Sequence, residues 1–78
     1  MKTMNCKQLG GACDLDFKAE TFEEMAELSK KHGMEMFAVK DAAHMEAMQK
    51  MMDLMKDPVA MKAWFEERKQ EFDGLPED

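Results

Sequence analysis

Apolar and polar positions divide the chain into a short N-terminal part with strand-like alternation and a longer part with helical spacing. Residues 3–6 and 13–17 alternate small or apolar with polar side chains, which is typical of short strands. Cys13 would share one face of the second strand with the next two odd-numbered residues. The link between the strands is too long for a two-residue turn. Gly10 and Gly11 within it favour a wider hairpin loop with positive φ angles.

The first helix has a clear start signal at Thr21. This threonine and a glutamate three residues later form a Thr-x-x-Glu capping box, which predicts a helix over about residues 22–32. His32 falls on the same side of this helix as its apolar residues. Gly33 follows directly and predicts a left-handed stop. Residues 34–40 are ambiguous, because they either extend the helix past Gly33 or form a packed connector.

Two further helices follow, and an aspartate opens each of them. Asp41 predicts the cap of a helix that runs to about Lys56. Asp57 and Pro58 then end this helix and begin another, since aspartate caps helices and proline suits the first helical position. The last helix runs to about Asp73, where a glycine and a proline release the chain. The two helices are expected to form a helical hairpin.

Together these elements predict an α+β fold, in which an N-terminal β-hairpin packs on a helix and a C-terminal helical hairpin follows. We expect a single domain over residues 1–78, with a ββα unit at 1–34, the helical hairpin at 41–73 and a flexible tail at 74–78. A chain of this length buries only about 60% of its unfolded surface. A metal, a disulfide or a second subunit would therefore add useful stability.

Charge and hydropathy exclude several functional classes. The net charge is −6 and the longest basic cluster is Lys30-Lys31, so the sequence has no basic stripe that would grip nucleic acid phosphates. No window approaches the ~20 apolar residues of a membrane span, and residues 1–5 lack the apolar run of a secretory signal. We therefore expect a cytoplasmic protein with no nucleic acid or membrane partner, where reducing conditions disfavour a structural disulfide.

Cys6 and Cys13 flank the glycines of the predicted hairpin, and His32 ends the helix that follows it. Zinc and ferrous iron favour thiolate and imidazole donors, and a tetrahedral zinc site takes four ligands. We predict a metal site with these three residues as ligands and with Glu27 or His44 as a possible fourth. Glu27 lies about 1.4 turns before His32, so their side chains diverge by roughly 140° and would share an ion only near a bend.

Two other interpretations of the cysteine pair stay open. Cysteine is among the most buried residue types, so both thiols can pack in the core with no metal at all. The pair can also form a disulfide or a redox couple, and closing so short a loop would contribute only about 2.5 kcal/mol in the chain-entropy model. The expected cofactor is thus zinc or iron, or none.

The N-terminal part of the chain also carries a family pattern. It has a Cys-x6-Cys pair with glycine in the gap, an acid and an aromatic residue after the second cysteine, a threonine-capped acidic helix and the pair His32-Gly33. Over residues 1–34 this pattern resembles a family of very small prokaryotic domains of unknown function, described as predicted small metal-binding proteins. The resemblance implies the ββα unit and a metal site, and no activity. Many members carry another histidine five positions before the last one, and Glu27 occupies that place here.

Methionine is unusually abundant, with eleven residues in the chain. Four methionines of the second predicted helix have the three-and-four spacing of a buried stripe, so packing in the core is the simplest role. A partner-binding surface and a Cu(I) site are the alternatives. Two aromatic residues of the last helix are expected in the core, with an interface as the alternative. A homodimer or a helical protein partner would use the same Met/aromatic face: Met45, Met48, Met52, Met55, Trp64 and Phe65.

Catalytic motifs do not appear in the sequence. There is no Ser/His/Asp order, no phosphate-binding glycine loop and no His-Glu-x-x-His. A chain this short also has little room for both a core and a substrate pocket. We therefore expect a small metal-binding module that is not an enzyme and whose physiological role is unknown. The alternative is a metal-free helical module for protein interaction or homodimerisation.

Overall fold

A two-stranded antiparallel hairpin and three α-helices make up the computed structural model, which describes residues 1–77. The predicted α+β class, with a ββα unit and a helical hairpin, is confirmed. A short 3-10 helix, Lys7–Leu9, lies within the hairpin loop. Within the described residues, no helix has the length and apolar character needed to cross a membrane. The strands are β1 (Lys2–Asn5) and β2 (Asp16–Ala19), and the helices are α1 (Phe22–Ala38), α2 (Ala42–Met55) and α3 (Pro58–Asp73).

The hairpin buries one face against α1. Met4 pairs with Phe17 across the two strands, and both side chains are buried together with Ala19. Met25 of α1 is fully buried in the same cluster. The polar residues that alternate with them on β2 stay exposed, as expected for a small antiparallel sheet with one covered face.

The second strand begins later than the sequence predicted. Cys13 does not lie in β2 and Leu15 is exposed, so the common face predicted for residues 13–17 is wrong for its first part. The backbone here folds around Cys6 instead. The Cys6 amide donates to the Leu15 carbonyl at 2.9 Å, and the Lys7 amide donates to the Cys13 carbonyl at 3.1 Å. These bonds hold Cys13 in the loop beside Cys6.

Gly10 supplies the reversal of the hairpin loop. Its φ is +92°, as predicted for a glycine of this loop, and its amide donates to the Lys7 carbonyl at 3.1 Å. A Cβ at this position would lie 2.9 Å from the Met51 sulfur and 3.2 Å from the Trp64 ring. The glycine therefore serves both the turn and the close packing of α2 and α3 on the loop.

All three helices begin with the caps that the sequence predicted. Thr21 accepts a hydrogen bond from the Glu24 amide at 3.2 Å, which confirms the threonine cap. The Glu24 carboxylate accepts from the Thr21 hydroxyl at 3.4 Å and not from the Thr21 amide, so the predicted capping box forms only in part. Asp41 caps α2 by accepting from the amide three residues later, at 3.0 Å. Asp57 caps α3, and Pro58 occupies its first turn.

Helix α1 continues through Gly33 and ends at Ala38, so the stop predicted at Gly33 is wrong. The residues that follow this glycine include methionine, glutamate and alanine, which are good helix formers, and together they outweigh the cost of one glycine. Of the two alternatives for residues 34–40, extension of the helix is therefore confirmed as far as Ala38.

The residue that ends α1 in the left-handed conformation is Lys40, with a φ of 56°. Its amide donates to the Phe37 carbonyl, and the Asp41 amide donates to the Met36 carbonyl, both at 3.1 Å. This pair of bonds is that of a Schellman motif, which usually places glycine in the left-handed position. The motif turns the chain directly into the cap of α2.

The buried core is small and lies between the hairpin, α1 and the end of α3. Leu75 of the predicted tail packs against it. The last residue of that tail, Asp78, lies outside the described residues. The buried hydrophobic residues are Met4, Cys6, Leu9, Phe17, Ala19, Met25 and Phe72.

The methionine stripe of α2 is not part of this core. Met45, Met52 and Met55 are exposed, so the packing prediction is wrong for three of its four members, and Met48 is half-buried. The physical reason is that the hairpin, α1 and α3 already close the core. Helix α2 therefore covers the loop and α1 with one side and leaves the rest of its apolar surface uncovered.

The two aromatic residues of α3 that were expected in the core lie at its margin. Trp64 is half-buried and Phe65 is 38% exposed, with their rings edge to face at 5.2 Å. Phe72, two turns later, is the residue of α3 that is buried. The core prediction for the Trp64–Phe65 pair is therefore wrong.

Replacing Gly33 with alanine tests the path of α1. Alanine is favoured over glycine in a helix interior by about 1 kcal/mol, and the added Cβ would meet only the Met48 methyl carbon, at 3.6 Å. We expect Gly33→Ala to raise the free energy of unfolding by up to about 1 kcal/mol and the melting temperature by about 4–8 °C. Thermal denaturation followed by circular dichroism measures this change. A lower melting temperature, as expected for a left-handed glycine, would contradict the structure.

Candidate metal centre

Four side chains from three parts of the chain, the hairpin loop, α1 and α2, meet at one place. Cys6 follows β1, Cys13 lies in the hairpin loop, His32 is in the middle of α1 and His44 is in the first turn of α2. One donor atom from each residue lies within 4.8 Å of the donor atoms of the other three. The three ligands that the sequence singled out are thus brought together, and His44 is the fourth member of the group.

The distances between the donor atoms fit a tetrahedral metal. The Cys13 sulfur lies 3.3 Å from Nε2 of His32, and the Cys6 sulfur lies 3.6 Å from Nε2 of His44. Zinc bonds of about 2.3 Å to sulfur and 2.0–2.1 Å to nitrogen place two tetrahedral ligands of these types about 3.6 Å apart. Both sulfur–nitrogen pairs are therefore close to the edge length of such a tetrahedron.

Glu27 is not a member of this group. It is exposed on α1 and lines a different groove together with Lys18 and Lys31. The angular separation around the helix explains this, because a residue five positions before His32 points away from the side that His32 presents. Of the two residues weighed for the fourth place, only His44 lies with the other donors.

Asp41 holds the His44 ring in place. Its Oδ2 lies 2.6 Å from Nδ1 of His44 and also accepts the main-chain amide of His44 at 3.0 Å. This hydrogen bond raises the pKa of His44 above its usual value, and the same bond lowers the pKa of Asp41. When Nδ1 carries the proton, Nε2 has the lone pair that can bind a metal, and it faces the Cys6 sulfur. A carboxylate behind a ligating histidine is a recurrent feature of metal sites.

Sequence reasoning identified Asp41 as a helix cap and missed its second role. The signal was the three-residue spacing between Asp41 and His44, which puts the two side chains together at the first turn of a helix. When a histidine follows a capping aspartate at this spacing, the carboxylate can bond both the main-chain amide and the ring of that histidine.

His32 is held by aromatic neighbours. Its ring packs edge to face with Phe17 of β2, at 5.6 Å between centroids, and with His44, at 5.1 Å. Phe17 is itself buried in the core between the hairpin and α1. The core therefore limits the positions that the His32 ring can take.

The protein environment acts differently on the two thiols. Burial raises the pKa of Cys6, and the main-chain amides of Cys13 and Ala12 oppose this rise. The pKa of Cys13 is lowered, chiefly by a hydrogen bond from the main-chain amide of Leu15, with a further contribution from His44. Amide donors directed at sulfur favour the thiolate, which is the form that binds metal. Both cysteines are free of disulfide bonds.

Because Gly11 has no side chain, the loop can lie close to the Cys6 sulfur. A Cβ built on Gly11 would lie only 2.1 Å from this sulfur and 3.1 Å from the Cys6 carbonyl oxygen. The Gly11 amide donates to that same carbonyl at 2.8 Å. The requirement for glycine here comes from close contact and not from a left-handed φ angle.

Comparison with known proteins does not extend these observations. No protein-family model matches the chain, and neither the curated proteins nor the solved structures contain a significant match. The resemblance to small metal-binding domains thus stays a prediction from the sequence.

Gly11→Ala tests whether the loop must contact the Cys6 sulfur. Because a methyl group at this position cannot coexist with the present sulfur position, we expect a loss of about 1–3 kcal/mol in the free energy of unfolding, the usual cost of overpacking. Urea denaturation measures the change. Gly74→Ala is the matched control, since its Cβ would meet no atom closer than 3.5 Å. Equal denaturation midpoints for the two variants would contradict the predicted contact.

Proposed function

We propose that the chain is a small zinc-binding module in which Cys6, Cys13, His32 and His44 hold one Zn(II). The observation that carries the proposal is the convergence of two sulfur and two imidazole donors within 4.8 Å of one another, with two sulfur–nitrogen pairs near the edge length of a zinc tetrahedron. Four protein donors fill every position of tetrahedral zinc and leave none for a substrate or an activated water, which is typical of a structural site.

The charge of the donor set also favours zinc. Two thiolates carry two negative charges, and they balance the charge of one divalent cation when both histidines are neutral. A balanced group is suited to this location, because Cys6 and His44 are buried and an unbalanced charge there would carry a large desolvation cost. Without the metal, the buried thiol of Cys6 is protonated, as its raised pKa indicates.

Zinc binding would hold separate parts of the chain together. The four ligands belong to the hairpin loop, α1 and α2, so one ion would join three segments that otherwise meet around a core of seven buried hydrophobic residues. A domain of this size gains little stability from its core alone. Binding of zinc would thus contribute directly to folding, as in other small domains that contain zinc.

Metal content and melting temperature test this function together. Protein purified without a tag after growth with zinc should contain about one zinc per chain. At zinc concentrations about 1,000 times Kd, the ion stabilises the fold by about 4 kcal/mol, so EDTA should lower the melting temperature by about 15 °C or more. A zinc content below about 0.2 per chain, with the same melting temperature in EDTA, would refute the proposal.

Single substitutions identify the ligands in the same experiment. Cys6→Ser and His44→Gln should each abolish retention of zinc, because each removes one of four donors. Glu27→Gln is the matched control, since Glu27 is exposed and lies outside the group. It should keep the metal and the melting temperature of the unmodified protein. Loss of zinc in Glu27→Gln together with retention in His44→Gln would show that the ligand set is wrong.

Asp41→Asn tests the positioning role of this carboxylate. Asparagine caps helices as well as aspartate does, so the fold of α2 should be kept, whereas the charged acceptor behind His44 is lost. We expect zinc affinity to fall by about 10–100-fold, the usual effect of removing such a partner. Competition with a chromogenic chelator measures the affinity, and circular dichroism checks the helix content. An unchanged affinity would show that Asp41 serves only as a cap.

A further inference from the structure

A second feature adjoins the metal centre. A cavity of about 410 Å³, partly open to solvent, lies between α1, α2 and the hairpin loop. Its inner wall includes side chains of Cys6, His32 and His44, and most of the remaining wall is apolar. None of the described residues that line it is Asp, Glu, Lys or Arg. The α2 side of the cavity is formed largely by Met48, Met51, Met52 and Met55.

These methionines follow one another along a single face of α2. Their spacing of three, one and three residues puts them on the same side over about two turns. Met52 is 59% exposed and Met55 is 46% exposed, whereas Met4 and Met25 are completely buried in the core. Met48 and Met51 are half-buried. Burial of apolar surface therefore explains the core methionines and explains the cavity methionines only in part.

Two of the four methionines reach residues that adjoin the metal centre. The Met51 sulfur lies against Gly10 of the loop, and the Met48 methyl carbon lies against Gly33, the residue after His32. Met48 and Met51 thus lie near the metal centre, whereas Met52 and Met55 are more exposed. All four side chains line one wall of the same cavity.

The donor atoms of the cavity wall determine which metal ion the cavity would bind. Thioether sulfur is a neutral, polarizable donor that prefers Cu(I) to zinc or to hard cations. A monovalent ion also loses less hydration energy than a divalent ion on moving into an apolar space, because this energy rises steeply with charge. Hard divalent cations need oxygen donors, and the described lining offers no carboxylate.

We propose that this cavity is a second metal site, which binds Cu(I) through the thioethers of Met48, Met51, Met52 and Met55. It lies beside the two-cysteine, two-histidine centre and differs from it in donor type. Cu(I) binding here requires no oxidation or proton release, since thioethers are neutral ligands that carry no proton. The site stands on the arrangement of the methionines and does not depend on the identity of the metal at the other centre.

Methionine methyl spectra test the proposal directly. Zinc-loaded protein labelled with ¹³C at the methionine methyl groups is titrated with the acetonitrile complex of Cu(I), without oxygen. We expect the methyl signals of the four cavity methionines to shift, while those of Met4 and Met25 stay in place. A titration in which the cavity signals do not move would overturn the proposal. If the protein proves not to hold zinc, the titration is made on the Cys6→Ser/Cys13→Ser variant, because free thiolates beside the cavity would bind Cu(I) first and shift the nearby methyl signals.

A leucine variant separates thioether binding from simple apolar packing. The quadruple variant with Met48, Met51, Met52 and Met55 replaced by leucine keeps nearly the same volume and apolar character and removes every cavity thioether. It should keep its helix content and its zinc and lose the Cu(I) that the unmodified protein takes up, as measured by competition with a Cu(I) chelator. Undiminished Cu(I) uptake by this variant would overturn the proposal, as would uptake accompanied by an equal release of zinc.

A second copy of the chain or a helical partner is the competing occupant of the cavity. Such an occupant would shift the cavity methyl signals with protein concentration in the absence of copper, and leucine would serve it as well as methionine. Sedimentation of the unmodified protein and of the leucine variant distinguishes the two cases. Concentration-dependent association that both proteins share, with no response to Cu(I), would overturn the proposal.

Discussion

The position of the Cys6 sulfur is the constraint on which the rest of the site depends. The Cys6 carbonyl accepts hydrogen bonds from the amides of Leu9 and Gly11, and the Cys6 amide donates to the Leu15 carbonyl. The loop therefore winds around this one residue and leaves no room for a side chain at Gly11. Cys13 and the end of β1 are set by the same hydrogen bonds. A small hairpin thus gains a rigid sulfur position without a long sheet.

The length of α1 determines whether His44 can reach the other three donors. Because the helix passes through Gly33 and ends in a Schellman motif at Lys40, the chain reverses beyond His32 and returns along the same side. The first turn of α2 then lies opposite the middle of α1. His44 reaches the cysteines from this turn, with Asp41 behind it. A helix that stopped at Gly33 would have given the chain no such return path.

Features set by one clear local signal were predictable from the sequence. The caps at Thr21, Asp41 and Asp57 follow from short-range hydrogen bonds between neighbouring residues. The end of α1 was not predicted because two local signals conflict there: Gly33 predicts a stop, whereas its neighbours favour helix. The choice of fourth donor between Glu27 and His44 has a different cause. That choice depends on where α2 returns, and no spacing within one helix encodes it.

The exposed methionines are a consequence of the small size of the chain. A chain of 78 residues closes its core with the hairpin, α1 and one end of α3, and part of the apolar face of α2 stays exposed. Exposed apolar side chains on a small protein favour association, so leucine or isoleucine at these positions would add that liability with no compensating chemistry. Methionine differs from them in having a donor atom. Its use at four positions on one face of α2 that line one cavity, beside a centre built from sulfur and imidazole, is explained better by ligand chemistry than by packing.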